Sequence, residues 1–144
     1  MMAAAATKTV MKPETISNEA FFFPQGLAGF SDAHEFGFIY EGHGDIVCLQ
    51  SIDSPEAAFL LTPWDEERLG HVPKLPNEQC SCISIDDQSH IMWMVVLNPF
   101  ADKEWVTANL RAPIALNLEA RLGLQCIRAD SELEIRYRWM KQPS

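Results

Sequence analysis

Seven consecutive apolar residues, Ile91 to Leu97, constrain this chain more than any other stretch. The run is far shorter than the roughly 18 to 20 residues of a membrane span. It also lacks the polar alternation of a strand with one wet face. It therefore predicts a central β-strand covered on both sides, and every other element must be arranged to supply those covers.

The flanking sequence supplies them as short strand-type runs separated by turn chemistry. Phe21 to Phe23 ends a first strand, and Pro24, Gly26 and Gly29 punctuate the loop after it. Phe36 to Glu41 and Asp45 to Ile52 flank Gly42-His43-Gly44, whose glycines can take positive φ, so a hairpin is expected there. Ala57 to Leu61 follows the turn-like Asp53-Ser54-Pro55. Cys80 to Asp86 and Ser89 to Asn98 flank Asp87-Gln88 as a second expected hairpin. Ile114 to Leu118, Leu122 to Arg128 and Leu133 to Trp139 complete the set, the last alternating strictly between apolar and charged residues.

Helix signals are confined to Thr62-Pro63-Trp64-Asp65, which offers a capping hydroxyl, proline at the first helical position and a carboxylate at the third; Gly70 can end it after about two turns. About nine short strands with one short helical insert predict an all-β fold, a small barrel or barrel-like twisted antiparallel sheet. Met1 to Lys12 reads as a mobile tail and 13–144 as a single domain, with no Gly/Ser linker or repeat inside it. At 144 residues, folding buries roughly 70% of the unfolded chain's surface, so the core needs neither disulfides nor metal.

The formal net charge is −9, and it is unevenly spread. Pro13 to Asp102 holds fifteen acids and two bases, Arg68 and Lys74, for −13; the first twelve residues carry +2, and Lys103 to Ser144, with seven bases and five acids, carries +2. Such a chain is poorly suited to direct nucleic-acid binding, whose affinity comes from counterions released at Lys and Arg. The acidic body suits a basic or polar protein partner, with solubility as the competing reading. No membrane span or secretory leader is expected, which points to the cytoplasm.

The search for catalytic chemistry returns little. Cys80-Ser81-Cys82 would place two thiols on one face of a strand, about 7 Å apart. With Cys48, Cys126, His71 or His90 they can be imagined as a soft metal site, but paired zinc knuckles are missing and reduced core cysteines are the simpler expectation. His34, His43, His71 and His90 fall in or beside loops, outside any nucleophile or metalloprotease motif. No P-loop or dinucleotide fingerprint is present, so neither an enzyme nor a cofactor is expected. Phe30, Trp64, Phe100 and Trp105 lie in or beside predicted loops, where aromatic residues either anchor a protein interface or cap the ends of the sheet.

Read in order, the loops carry a pattern. Phe23-Pro24-Gln25-Gly26-Leu27-Ala28-Gly29-Phe30 resembles the F-P-x-G-[IL]-x-G-F opening of the flagellar assembly factor FliW family. Leu49-Gln50-Ser51 with Ala58-Phe59 is similar to its L-Q-S…A-F segment. Thr107-Ala108-Asn109-Leu110-Arg111-Ala112-Pro113-Ile114-Ala115-Leu116-Asn117 resembles its T-A-N-L-x-A-P-[IV]-x-[IVL]-N signature, and Gly123-Leu124-Gln125 its G-x-Q turn. The blocks stand in family order over about Phe21 to Arg128. Ala28 departs from the family's usual proline, Glu66 to Gln79 matches poorly, and the end beyond Ile127 does not align.

The resemblance implies a cytoplasmic, non-enzymatic β protein that binds flagellin and the translational repressor CsrA, relieving repression once flagellin has been exported. On that footing the candidate partner-binding residues are Phe30, Trp64, Trp105, Asn109, Leu110 and Arg111. Asn109 and Pro113 also fit a purely structural turn. Leu110→Ala and Arg111→Glu are expected to weaken partner binding with little change in melting temperature. The reading from a different class is a small β-barrel that binds a metabolite or metal through the cysteine cluster.

Overall fold

Two residues, Gly44 and Asp45, reverse the chain between strands whose ladder runs from Phe36↔Ser51 to His43↔Ile46, and Gly44 takes a φ of 62° there. The expected hairpin thus forms, with its turn on the second glycine. The computed structural model describes residues 20–143, with only the backbone for 40–43; the tail expected over Met1 to Lys12 lies outside them.

The strands are β1 (Phe21–Phe22), β2 (Glu35–His43), β3 (Ile46–Ser51), β4 (Ala58–Pro63), β5 (Met92–Asn98), β6 (Trp105–Asn117), β7 (Leu122–Gln125) and β8 (Tyr137–Lys141). Their order is β5-β4-β3-β2-β1-β7-β6-β8, and a further β5–β6 pairing closes the first seven into a barrel. All pairs are antiparallel except β1 with β7, at Phe22↔Leu122. β8 stands outside the ring, against the first half of β6.

The barrel interior is filled by Phe21, Phe23, Phe36, Leu49, Leu61, Met94, Ile114 and Leu116, all essentially inaccessible to water. The Phe23 and Phe36 rings meet edge to face at 5.3 Å, a favoured geometry for aromatic pairs. Outside the wall lie two further cores. Trp93, Ala115 and Leu124 are covered by Leu75, Cys80, Ile83, Ile85 and Ile91. Val95, Leu97, Val106, Ala108 and Leu110 are covered by Leu69, Leu133, Tyr137 and Trp139. The apolar run therefore behaves as expected, with Met94 facing the interior while Trp93, Val95 and Leu97 face the covers.

Several local expectations are corrected. Cys80 does not start a strand; it lies in α2 (Asn77–Cys82), so the hairpin across Asp87-Gln88 and the strand geometry of Cys80 and Cys82 are both absent. Pro76 opens that helix, Cys80 and Ile83 bury three residues apart, and Ser84 breaks the chain at φ 57°. A 3-10 turn at Gln88–His90 replaces the hairpin. The Gln88 side chain fastens it by accepting from Leu75 N–H at 3.0 Å and donating to Leu75 C=O at 2.7 Å.

The expected helix at Thr62 begins later and is one turn long. α1 (Glu66–Leu69) is capped by Asp65, while Thr62 and Pro63 stay in β4, paired with Val95 and Met94. Gly70 ends it as expected, its N–H bonded to Glu66 C=O. The described residues thus hold eight strands and two short helices instead of nine strands and one insert.

Candidate partner-binding site

Gln125 ties together segments that are far apart in sequence. Its Oε1 accepts from Ala28 N–H at 2.8 Å, and its Nε2 donates to Ala112 C=O at 3.2 Å. Two residues earlier, Gly123 has its Cα so close to the Phe23 ring that any Cβ would overlap it. The loop after Phe23 turns at Gly26 and Gly29, both with positive φ, and closes through the Leu27↔Phe30 bridge. At Gly26 a Cβ would also meet the carbonyls of Phe30 and Ser31 at 2.7 Å, so glycine is required twice over. Phe30 then lays its ring edge-on to Phe59 at 5.7 Å. The three motifs F-P-x-G, G-x-Q and T-A-N-L-x-A-P thus converge on one side of the barrel.

The third motif is a large irregularity in β6. Between Met94↔Ile114 and Val96↔Asn109, the single residue Val95 stands opposite four, Leu110 to Pro113. Such a bulge bends the strand and frees backbone groups. Pro113 has no N–H to satisfy, and Asn109 Oδ1 accepts from Arg111 N–H at 3.0 Å. The remaining groups bind the strap that follows β7: Leu110 N–H to Glu134 C=O, Arg128 N–H to Arg111 C=O, and Cys126 N–H to Pro113 C=O. The Arg111 guanidinium fixes the same strap, with Nε 2.7 Å from Leu133 C=O and a terminal nitrogen 2.7 Å from Ser131 C=O.

The candidate residues therefore divide. Asn109, Leu110 and Arg111 are brought together at the bulge, with Leu110 buried at 9% exposure and Arg111 spending its donors within the chain. Trp64 is half-buried against the cluster that contains Leu110, and its indole N–H donates to Gly70 C=O at 2.9 Å. Phe30 belongs to the loop that Gln125 holds beside the bulge. Trp105 stands apart at the start of β6, half-buried, with Arg138 and Lys141 over its ring at 5.4 and 4.9 Å.

An exposed apolar surface lies outside the candidate set. Ile39, Cys48, Leu60 and Leu97 are successive partners across β2, β3, β4 and β5, so their side chains share the outer face. Ile39 is 51% exposed. A groove of about 460 Å³ takes in Cys48, Leu60 and Leu97 of this row and runs along Ala58, Phe59, Val96 and Pro99 to Phe100, which is 92% exposed. A second groove of about 290 Å³ shares Leu60, Leu97 and Pro99 with it and runs on past Ile46 to Met140. Phe100 carries the one sequence signal for this trough, an aromatic in the loop after a covered strand; the cross-strand row requires the register.

The cysteines do not form a cluster. Cys80 and Cys126 pack in one outer core, Cys82 is exposed, Cys48 lies in the trough, and none is in a disulfide. Burial pushes the Cys126 thiol above its ordinary pKa, which keeps it protonated and inert. Among the described residues no three His, Cys, Asp or Glu side chains converge as metal ligands, and no helix is long and apolar enough to cross a membrane.

Comparison with known proteins agrees with this arrangement of motifs. The family model described as FliW protein matches residues 4–139. Flagellar assembly factor FliW of Borrelia duttonii is 31% identical over 121 residues, 83% of this chain and 92% of that one. The protein of the same name from Thermotoga sp. (strain RQ2) is 29% identical over 133 residues, covering 90% and 89%. A crystal structure of the flagellar assembly factor FliW superposes with a TM-score of 0.74 at 23% identity, covering 90% of this chain and 89% of that one, which establishes the shared fold. With its motifs folded against one another around Gln125 and the family model spanning nearly its whole length, the chain belongs to the FliW family.

Proposed function

We propose that this protein is a non-enzymatic, cytoplasmic regulator that binds flagellin and, when flagellin has been exported, binds the translational regulator CsrA and relieves its repression of flagellin synthesis. The observation that carries the reading is the family match over residues 4–139, to which relatives named as flagellar assembly factors belong. The charge distribution and the exposed apolar trough support a role in protein binding. A switch of this kind works by mass action, so each interface must be exchangeable. Phe30 and Trp105 then serve as partner contacts, while Asn109, Leu110, Arg111 and Trp64 hold the surface in shape.

The test is co-elution of the purified protein with flagellin and with CsrA from the same bacterium, followed by competition between the two. Separate complexes, with flagellin displacing CsrA, are expected. Failure to bind either protein would sink the reading.

A further inference from the structure

We propose that the exposed cations around Trp105, where β6 meets β8, form a docking site for an extended acidic segment of a partner protein. This inference rests on the protein-binding role proposed above and adds a contact whose charge is opposite to that of the acidic body.

Register builds the site. Trp105 pairs with Lys141 and Thr107 with Arg138, so both cations share a face of the sheet with the indole. Arg138 and Lys141 lie over the Trp105 ring at 5.4 and 4.9 Å, close enough for the ring to attract their charges. One half-buried aromatic thus positions two side chains, while both residues stay exposed to water. Exposed Arg136 directly precedes β8, and exposed Lys103 lies in the turn that leads to Trp105.

Charge selects the occupant. The chain holds 20 acids against 11 bases, yet among the described residues none of these four cations makes an ion pair. The acids beside them in sequence are Asp102, Glu104 and Glu134, and Asp102 Oδ1 already accepts from Glu104 N–H and Trp105 N–H. Like charges left together repel one another, and an acidic ligand relieves that repulsion. Spacing selects the ligand's form. Thr107 and Trp105 are two residues apart on β6, so their cationic partners start about 7 Å apart, the interval between alternate side chains of an extended segment. Carboxylates at every second residue therefore match Arg138 and Lys141. A nucleic acid fits less well, because the acidic body repels its phosphates and the cations over Trp105 occupy the ring on which a base would stack.

The probe is a synthetic peptide in which glutamate alternates with serine, compared with its glutamine–serine and lysine–serine counterparts. Binding is read by fluorescence anisotropy over a salt series. The glutamate peptide is expected to bind and to weaken as salt rises, and the other two not to bind. Arg138→Glu combined with Lys141→Glu should weaken the glutamate peptide by at least about tenfold, and the milder Arg138→Gln with Lys141→Gln by about threefold to fivefold, with melting curves checking that each variant folds. Lys74→Glu reverses an exposed charge in the cover of the other outer core and should change binding by less than about twofold. Equal binding of the glutamine peptide, an equal loss in Lys74→Glu, or indifference to the β8 substitutions overturns the proposal. So does a single-stranded RNA that binds through the same cations more tightly than the peptide. A wild-type oligomer that the β8 substitutions dissociate also overturns it, because the site is then taken by the acidic side of a second copy. Co-elution with flagellin and CsrA separates the two levels: protein that binds either of them but ignores the peptide refutes the docking site alone, and protein that binds the peptide but neither of them refutes the functional reading alone.

Discussion

Gly123 has room for a hydrogen and nothing larger, because the Phe23 ring occupies the place of its side chain. Gly123→Ala is expected to lower stability by about 1–3 kcal/mol through overpacking. Urea denaturation measures this, and an unchanged midpoint would mean that the ring yields freely. At the bulge, geometry replaces the expectation that Leu110 and Arg111 can be altered without cost. Leu110 is buried among Val95, Leu97, Val106 and Ala108, so Leu110→Ala should cost about 2–4 kcal/mol. Arg111→Gln should cost about 1–3 kcal/mol by leaving the Leu133 and Ser131 carbonyls without their charged donor. Thermal melts and binding assays on the same variants check both; unaltered melting with lost binding would restore their role as contacts. The sequence made this residue set visible as a motif, but the partners of Arg111 lie at 131 and 133, in the part of the chain that no motif reached.

Individual elements were legible where local chemistry decided them. The β2–β3 hairpin rests on Gly44, and β5 on its own apolar run. Two elements were obscured because a strand pattern appears without a strand. Cys80, Cys82, Ser84 and Asp86 alternate with Ser81, Ile83 and Ile85, yet the helix buries Cys80 and Ile83 on one face and Ser84 then reverses the backbone. Leu133 to Trp139 alternates strictly, but Leu133 and Glu134 are held by the bulge in β6, so pairing begins only at Tyr137. The β5–β6 connection carries a pH prediction of its own. Asp102 Oδ1 accepts from Glu104 N–H at 2.7 Å and Trp105 N–H at 3.0 Å, and the Glu104 bond is the main reason its carboxyl sits below the ordinary value of 3.8. The folded pKa is the lower one, so this contribution is complete above the unfolded value and disappears as pH falls through the folded value. Amide exchange at Glu104 and Trp105 should therefore quicken below about pH 3.8, after correction for intrinsic rates, and Asp102→Ala should abolish the transition.

For the whole molecule, composition established an acidic body, and the fold turns that sum into a direction. Exposed Asp45, Asp53 and Glu56 stand beside the strands of the trough, while Arg138 and Lys141 lie on β8 and Arg136 just before it. Association with a basic partner should consequently slow as salt rises, and more steeply for CsrA than for flagellin if the two use different sides. Stopped-flow rates over a salt series measure this; equal slopes would leave the asymmetry with solubility as its only use. Barrel closure was predicted from strand-type runs, but its order was not, since the β1–β7 pairing joins residues 100 apart through Phe22↔Leu122. The position of β8 outside that ring also has a mechanical meaning. A pull at Lys141, away from the barrel, would load the β6–β8 ladder one bonded pair at a time, beginning at Trp105↔Lys141. β6 behind it is held by β5 on one edge and β7 on the other and would resist such peeling. An unfolding machine that grips this end would thus meet a tear strip first, and removing it would uncover Val106, Ala108 and Leu110 before the ring itself gave way.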